Sequence, residues 1–302
     1  MNIPENTGQR IYKHMGDKTD EFLSQADSRL KKYTKIWQLS DLSFMPTDTV
    51  NLLFSCESGI YGSCVIKMCI PGAEVAAEIN CLRAYDGKGY CKLWAYDLSD
   101  DVLLLEKVTP GHQMWAVNDY KERARLMAMT IKGLPIVYTG HQQYPTYLSW
   151  MERIHRTLSN MGCLDDVLFY LNKAIDIYAE LKQRHNQTCL LHGDLHQENM
   201  LLNSNGGYTI IDPKGVIDDP VMEMARFLMN EMPCEEDKIR EMAAIMSPII
   251  AISEKDILKS MFIDAALSHS WCMEEFFLTK EAFENQRLHV LGTCKFVYGL
   301  LD

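Results

Sequence analysis

Residues 190–215 read LLHGDLHQENMLLNSNGGYTIIDPKG, and this stretch decides the fold class. Asn199 follows Asp194 by five positions, and Asp212 follows Asn199 by thirteen. Between them, the polar, glycine-containing run at 203–207 predicts the turn of a β-hairpin. Because a hairpin returns the chain beside its own start, Asp212 is expected to lie near Asn199.

One amide and two carboxylates at these spacings are typical of phosphoryl transfer. In kinases an Asp accepts the proton of the substrate hydroxyl group, while an Asn and a second Asp bind metal. The protein-kinase catalytic loop has the same spacing from Asp to Asn. Mg²⁺ prefers oxygen ligands and is usually held by one or two carboxylates together with substrate phosphates. The stretch therefore predicts a kinase-type site.

A zinc site formed by His185, His192 and His196 is the alternative for the same stretch. His192 and His196 are four positions apart, but the Gly-Asp between them argues against the helix that such zinc pairs need. We expect His192 to brace the loop from inside instead.

A kinase also needs a lysine on an upstream strand and a glutamate on the following helix. Lys67 ends the apolar run Cys-Val-Ile-Lys, where an unpaired ammonium group would be costly. The helix predicted over 73–85 offers Glu74 and Glu78 on one face, so spacing leaves the choice between them open. We favour Glu78 because it lies in mid-helix, whereas Glu74 suits the first turn, where the helix dipole favours an acid.

The nucleotide-binding segment is predicted from the run LLLEKV at 103–108. This run would form the hinge between two lobes, with Glu106 and Val108 contacting the nucleotide. The segment 44–50 would cover the phosphates, although it contains no glycine. No Walker A sequence occurs, which excludes a standard P-loop enzyme.

The distribution of predicted strands and helices along the chain indicates two lobes. Short β-rich runs around one helix precede Thr-Pro-Gly at 109–111, and mainly helical segments follow. We therefore expect an α+β, two-lobed protein-kinase-like fold, with a small antiparallel sheet in a nucleotide-binding lobe (1–108) and a helical catalytic and substrate-binding lobe (109–302).

Composition limits the partners. The 302 residues are 47% hydrophobic and 24% charged, as in ordinary globular proteins. A net charge of -11 without a Lys/Arg-rich run argues against nucleic acid or a membrane surface as a partner. Ten scattered cysteines without a CxxC pair, and the absence of an apolar leader, predict a cytoplasmic protein with reduced thiols. A monomer and a homodimer are equally compatible with the sequence.

Two motifs carry a family resemblance. HGDLHQENMLL (192–202) and IDPKGVIDDPVMEMARFLMNE (211–231) resemble the aminoglycoside phosphotransferase superfamily, and most closely its streptomycin 6-kinase group, the aminoglycoside/hydroxyurea antibiotic resistance kinases. The resemblance covers about residues 45–232, and Asp218 stands where the group usually carries glycine. It implies that Asp194 is the catalytic base and that the metal ligands for Mg²⁺ are Asn199 and Asp212. It also implies that Lys67 with Glu78 orients the phosphates of ATP.

Further residues are weighed for roles near the substrate. Lys214 would stabilise charge on the transferring phosphoryl group, or else pair with Asp218 or Asp219. Glu223 and Arg226 are spaced for an i,i+3 pair on one helix. Residues 215–302 contain 16 Asp/Glu and 8 Lys/Arg, and this acidic excess predicts a cationic substrate. The acids proposed to bind it are Asp218, Glu223, Glu274 and Glu275.

The function expected from these features is phosphorylation of a hydroxyl group on a streptomycin-like aminoglycoside, which would give antibiotic resistance. ATP, or GTP in its place, would be the phosphoryl donor. The alternatives are a kinase of a sugar or amino-alcohol metabolite and a nucleotide-binding pseudokinase. The intact set of Lys67, Asp194, Asn199 and Asp212 argues against a pseudokinase, because a binding module has no need of the base.

Overall fold

The computed structural model describes residues 3–47, 49–140, 144–162, 164–271 and 280–301. The chain divides into two compact units. The first runs to Gly111 and includes the hairpin turn Asn203–Thr209, and the second comprises His112–Leu202 together with the chain from Ile210 onward.

The first unit is a five-stranded antiparallel sheet preceded by two helices. The strand order is β1-β2-β3-β5-β4. The elements in chain order are α1 (Glu5–Met15), α2 (Thr19–Ile36), β1 (Leu39–Phe44), β2 (Leu52–Ser58), β3 (Gly62–Met68), α3 (Ala73–Tyr85), β4 (Leu93–Asp97) and β5 (Val102–Glu106).

Burial along the strands follows from their place in this sheet. In β2 the buried residues Leu52, Phe54 and Cys56 alternate with partly exposed ones, as expected when one face of a sheet packs on a core. The central strand β3 is buried from Cys64 to Met68. Lys67 therefore lies inside the sheet layer and needs a partner there.

Strand β1 begins three residues after the end of helix α2. Helix α2 ends at Ile36, and Gln38 takes a positive φ of 52°. This left-handed residue reverses the chain, so that Leu39 pairs with Ser58 of β2.

The second unit is mainly helical and carries short strands. The elements from residue 110 onward are, in chain order, β6 (Pro110–Gln113), α4 (Tyr120–Ile131), β7 (Ile136–Val137), α5 (Tyr147–Met161), α6 (Asp165–Lys182), β8 (Cys189–Leu191), β9 (Met200–Asn203), β10 (Tyr208–Ile210), β11 (Val216–Asp218), α7 (Ala225–Asn230), α8 (Glu236–Ile250), α9 (Glu254–Trp271) and α10 (Lys280–Gly299). Of these, the first two residues of β6, the last residue of β9 and the first two of β10 belong to the first unit.

A three-stranded antiparallel sheet, β11-β8-β7, fixes the HGD loop within the second unit. Strand β8 ends at Leu191, one residue before the HGD motif, and β11 begins at Val216, directly after the IDPKG motif. Val216 is paired with Leu191, so both motifs leave the sheet at neighbouring positions. Sequence patterns missed β7, β8 and β11 because two- and three-residue strands are too short to show a period.

Two properties of the described chain bear on its environment. None of the helices in the described ranges is long and apolar enough to cross a membrane. The cysteines in those ranges are free thiols, and all of them except Cys234 are buried.

Candidate active site

The HGD loop requires glycine at position 193 and is held by backbone hydrogen bonds at His192. Gly193 has a φ of +80°, and a Cβ atom there would lie 2.8 Å from Val216 Cγ1 and 3.0 Å from the Trp150 ring. The N–H groups of Lys214 and Gly215 both donate to the carbonyl oxygen of His192, at 2.9 and 3.1 Å. The HGD and IDPKG motifs are thereby joined side by side.

His192 connects the loop of the proposed base to the strand that leads to Asp212, the proposed metal ligand. Its ring is fully buried, and Nδ1 accepts a hydrogen bond from the N–H of Asp194 at 3.1 Å. Nε2 lies 2.9 Å from the carbonyl oxygen of Ile211, so Nε2 must carry the ring proton. Burial lowers the pKa of His192 to about 4, which keeps the ring neutral in this arrangement.

Asn199 and Asp212 are brought together by the hairpin. The N–H of Ile211 donates to the carbonyl oxygen of Asn199 at 3.0 Å, which places Asp212 one residue beyond the contact. Asn199 Nδ2 donates to the carbonyl oxygen of Asp194 at 3.0 Å, so Asn199 Oδ1 is the atom that could bind a metal ion. An amide and a carboxylate oxygen fit Mg²⁺, which completes its coordination with phosphates and water.

The histidine cluster considered for zinc does not form. His185 Nε2 lies 3.1 Å from Asp256 Oδ2, while both ring nitrogens of His192 are engaged as described above. Within the described residues no group of three or more His, Cys, Asp or Glu side chains is arranged to hold a metal ion.

Lys67 and Glu78 form a buried ion pair in the first unit. Lys67 Nζ lies 2.8 Å from both carboxylate oxygens of Glu78, and the two residues are 3% and 6% exposed. Glu78 lies in the middle of α3, whereas Glu74 lies in its first turn. The pairing favoured from the sequence is present, and it satisfies an ammonium group that β3 buries.

At the predicted hinge, Glu106 and Val108 differ in whether their backbone groups already form hydrogen bonds within the protein. The N–H of Glu106 donates to the carbonyl oxygen of Lys92 at 2.8 Å, and its Oε2 accepts from the N–H of Lys92 at 3.0 Å. Within the described residues no backbone group is bonded to the N–H or carbonyl of Val108. The Glu106 amide is therefore occupied, and Val108 is the better candidate for a contact with adenine.

The prediction that Asp218 binds substrate is corrected by its burial. Asp218 is 3% exposed and accepts hydrogen bonds from the Tyr178 hydroxyl at 2.8 Å and from Lys182 Nζ at 3.0 Å. It therefore ties β11 to α6. Asp219 caps the turn after it, since its Oδ1 accepts from the N–H of Val221 at 2.9 Å.

Glu223 is likewise turned inward, which corrects its assignment as a substrate contact. It is 3% exposed, and its Oε2 accepts from the N–H of His192 at 3.0 Å. Burial raises the pKa of Glu223 to about 8, although the N–H groups of His192 and Gly193 act in the opposite direction. Glu223 therefore stabilises the HGD loop through the backbone of His192.

The i,i+3 spacing suggested that Arg226 pairs with Glu223, but Arg226 contacts two other carboxylates instead. Its Nη1 lies 3.2 Å from Asp194 Oδ1, and its Nε lies 2.9 Å from Asp264 Oδ2. Sequence reasoning missed this contact because Asp264 is 38 residues away on α9 and no local pattern relates the two.

Lys214, Glu274 and Glu275 are the other residues predicted from the sequence. The backbone N–H of Lys214 donates to the carbonyl oxygen of His192 in the HGD loop. Glu274 and Glu275 lie outside the described residues.

Comparison with known proteins identifies a family and several distant relatives. The profile of the aminoglycoside/hydroxyurea antibiotic resistance kinase family matches residues 45–275. A hydroxyurea phosphotransferase from Kitasatospora aureofaciens is 24% identical over 76% of this chain and 68% of the relative. A streptomycin 6-kinase from Streptomyces glaucescens is 22% identical, with 74% and 73% covered.

Solved structures show the same fold at low identity. A choline kinase from Streptococcus pneumoniae superposes with a TM-score of 0.67 at 13% identity, covering 90% of this chain and 99% of that one. A thermostable mutant of an aminoglycoside phosphotransferase, solved with ADP and hygromycin B, gives 0.60 at 16% identity, covering 89% and 97%. The prediction of a two-lobed, protein-kinase-like α+β fold is confirmed.

Proposed function

Because the chain belongs to the aminoglycoside/hydroxyurea antibiotic resistance kinase family, we propose that it transfers the γ-phosphoryl group of ATP to a hydroxyl group of a cationic, streptomycin-like antibiotic. A member of this family is a kinase that acts on a small molecule. The observation that carries the proposal is the joining of Asp194, Asn199 and Asp212 through one loop and one hairpin.

Asp194 serves as the general base. Its carboxylate accepts the proton of the substrate hydroxyl group while that oxygen forms a bond to the γ-phosphorus of ATP. The bond between the γ-phosphorus and the bridging oxygen breaks, and ADP leaves with the electron pair. His192 and Glu223 hold the backbone of the loop, so that Asp194 stays in place during this step.

Two groups of residues bind the phosphoryl donor. Lys67, held by Glu78, binds ATP phosphates, and the open peptide groups of Val108 bind the adenine edge. Asn199 Oδ1 and the Asp212 carboxylate would hold Mg²⁺, which supplies charge neutralisation on the phosphates when it is bound. Lys214, which follows Asp212 by two positions, would stabilise negative charge on the transferring group. Nucleotide complexes of a structural neighbour support ATP as the donor.

The class of acceptor is supported by charge and by the relatives. The net charge of -11 favours a cationic ligand, and one of the relatives is named for streptomycin, which carries guanidinium groups. With Asp218 and Glu223 assigned to the interior, Glu274 and Glu275 are the remaining proposed contacts for guanidinium or ammonium groups.

The test is a panel of acceptors with γ-labelled ATP and Mg²⁺. Streptomycin, hygromycin B, hydroxyurea, choline and a neutral sugar alcohol would be compared, and product mass and position would be determined. We expect labelled product with streptomycin, and none from an Asp194→Asn control. Preference for choline or the sugar alcohol would instead support a metabolite kinase, and nucleotide binding without any transfer would support a pseudokinase.

A further inference from the structure

Arg226 contacts two carboxylates at once, and one of them belongs to the proposed base. Its Nε and Nη2 lie 2.9 and 3.3 Å from the two oxygens of Asp264. Its Nη1 lies 3.2 Å from Asp194 Oδ1. The guanidinium fork is therefore fixed by Asp264 on one edge and presents its remaining nitrogen to Asp194.

Asp264 gives Arg226 an anchor that does not depend on a substrate. Its side chain is 1% exposed, on helix α9, which packs against α7. A buried carboxylate without a cation would be costly, and two parallel N–H to oxygen contacts restrict rotation of the guanidinium plane. Asp264 thus orients Arg226 before any ligand binds.

The two oxygens of Asp194 are unequal as a result. Oδ1 is buried against Arg226, and its contact there is an ion pair without the alignment of a hydrogen bond. The Asp194 side chain is nevertheless 23% exposed. The exposed part therefore lies on its remaining atoms, and Oδ2 is the oxygen that a hydroxyl group can reach.

We propose that Arg226 is a positioning residue that selects Oδ2 of Asp194 as the proton acceptor, and that Asp264 holds Arg226 in that role. The inference rests on the proposed function, since it concerns the base of that reaction. Arg226 touches neither the nucleotide nor the acceptor in this proposal, so its removal should change the rate of the chemical step and leave binding intact.

The experiment is steady-state kinetics of Arg226→Met, Arg226→Lys and Asp264→Asn with the best acceptor. General bases contribute about 10²–10⁴-fold and small displacements cost up to about 10²-fold, so we expect Arg226→Met to lower kcat roughly 10- to 100-fold. KM for ATP and acceptor should stay within about twofold, because only interactions made in the transition state are lost. Arg226→Lys should recover part of kcat, and Asp264→Asn should fall between Arg226→Met and the unaltered protein.

A second background tests whether Arg226 acts through the base. In Asp194→Asn protein there is no carboxylate to orient, so adding Arg226→Met should not lower the residual rate further. Arg287→Met is the matched control, because Arg287 also binds a carboxylate with two nitrogens, at 2.6 and 3.3 Å from Asp166, between α10 and α6. This control should keep its kcat even if its melting temperature falls.

The outcomes separate the two proposals. Unchanged kcat in Arg226→Met, a rise in KM instead, or an equal loss in the Asp194→Asn background would overturn the role of Arg226 and leave the kinase assignment standing. If Arg226→Met fails to fold, Arg226→Lys and Asp264→Asn decide the question by the same criteria. A protein that phosphorylates no acceptor at all overturns the proposed function, and this inference with it.

Discussion

At the scale of single residues, the site depends on which carboxylates reach solvent and which are buried. Asp194 keeps part of its side chain exposed, whereas Asp218 and Glu223 are turned inward and bound by protein donors. The HGD motif distinguishes Asp194 in the sequence, but no local pattern shows that Asp218 and Glu223 are buried. The spacing of Asp194 and Asn199 could be predicted because it lies within one loop. The burial of Asp218 depends on α6, which packs from a distant part of the chain.

Replacing Asp194 by Asn should abolish most turnover and spare the fold. Asn keeps the shape of the side chain but cannot take up the proton, so kcat should fall about 10²–10⁴-fold. The melting temperature and the affinity for a nucleotide analogue should change little. The measurements are steady-state kinetics and calorimetric titration, and a variant that keeps a near-normal kcat would refute the assignment of the base.

Glu223 should make stability fall as the pH rises. Burial raises the pKa of Glu223 in the folded state to about 8, so the fold favours the protonated side chain. The resulting contribution to the free energy of unfolding is complete below the unfolded-state pKa of about 4.5. That contribution is lost as pH rises from about 4.5 towards 8, with a slope of at most about 1.4 kcal/mol per pH unit.

Glu223→Gln should remove this slope, and chemical denaturation between pH 6.5 and 8 isolates it. His192 has a lowered folded pKa, so its contribution is complete above about pH 6.5 and does not interfere in that window. Equal pH slopes for Glu223→Gln and the unaltered protein would show that Glu223 is ionised in the folded state.

At the scale of elements, long periodic segments were predictable and short ones were not. The helix predicted over 73–85 coincides with α3, because its apolar and polar positions follow one period. The hairpin of β9 and β10 was predicted from its Asn/Gly-rich turn. In contrast, β8 and β11 each have three residues, and their pairing depends on contacts between Leu191 and Val216 that sequence spacing does not show.

The pairing of β3 with α3 through Lys67 and Glu78 should appear as strong thermodynamic coupling. Removing one member of a buried ion pair leaves the other charge unpaired and costs about 3–5 kcal/mol. We therefore expect Lys67→Met and Glu78→Gln each to lower the free energy of unfolding, and the double variant to lose much less than the sum.

Urea denaturation measures that coupling, and KM for ATP should rise in all three proteins. Glu74→Gln, on the first turn of the same helix, is the control. Additive losses for Lys67 and Glu78, with coupling between Lys67 and Glu74 instead, would show that the functional partner of the lysine is Glu74.

At the scale of the whole molecule, part of the acidic excess is internal. Residues 215–302 carry a formal charge of -8, from 16 acids and 8 bases, out of the total of -11. Asp218, Glu231 and Asp264 in this segment are buried and paired with lysine or arginine side chains. Composition predicts the negative sign of the electrostatic field. It does not predict which acids are buried in ion pairs and which remain at the surface, because the pairs form only when distant helices pack.

The remaining surface charge should still attract a cationic acceptor, and salt should weaken that attraction. The Debye length falls from about 30 Å at 0.01 M to about 8 Å at 0.15 M ionic strength, so long-range attraction is largely screened at the higher value. KM for streptomycin should therefore rise several-fold over this range, while KM for hydroxyurea, which is uncharged, stays nearly flat. Glu274→Gln with Glu275→Gln should reduce the salt dependence if these acids bind the guanidinium groups. A flat response for streptomycin, or a lower KM for neutral polyols at both salt concentrations, would contradict a cationic substrate and favour phosphorylation of a neutral metabolite.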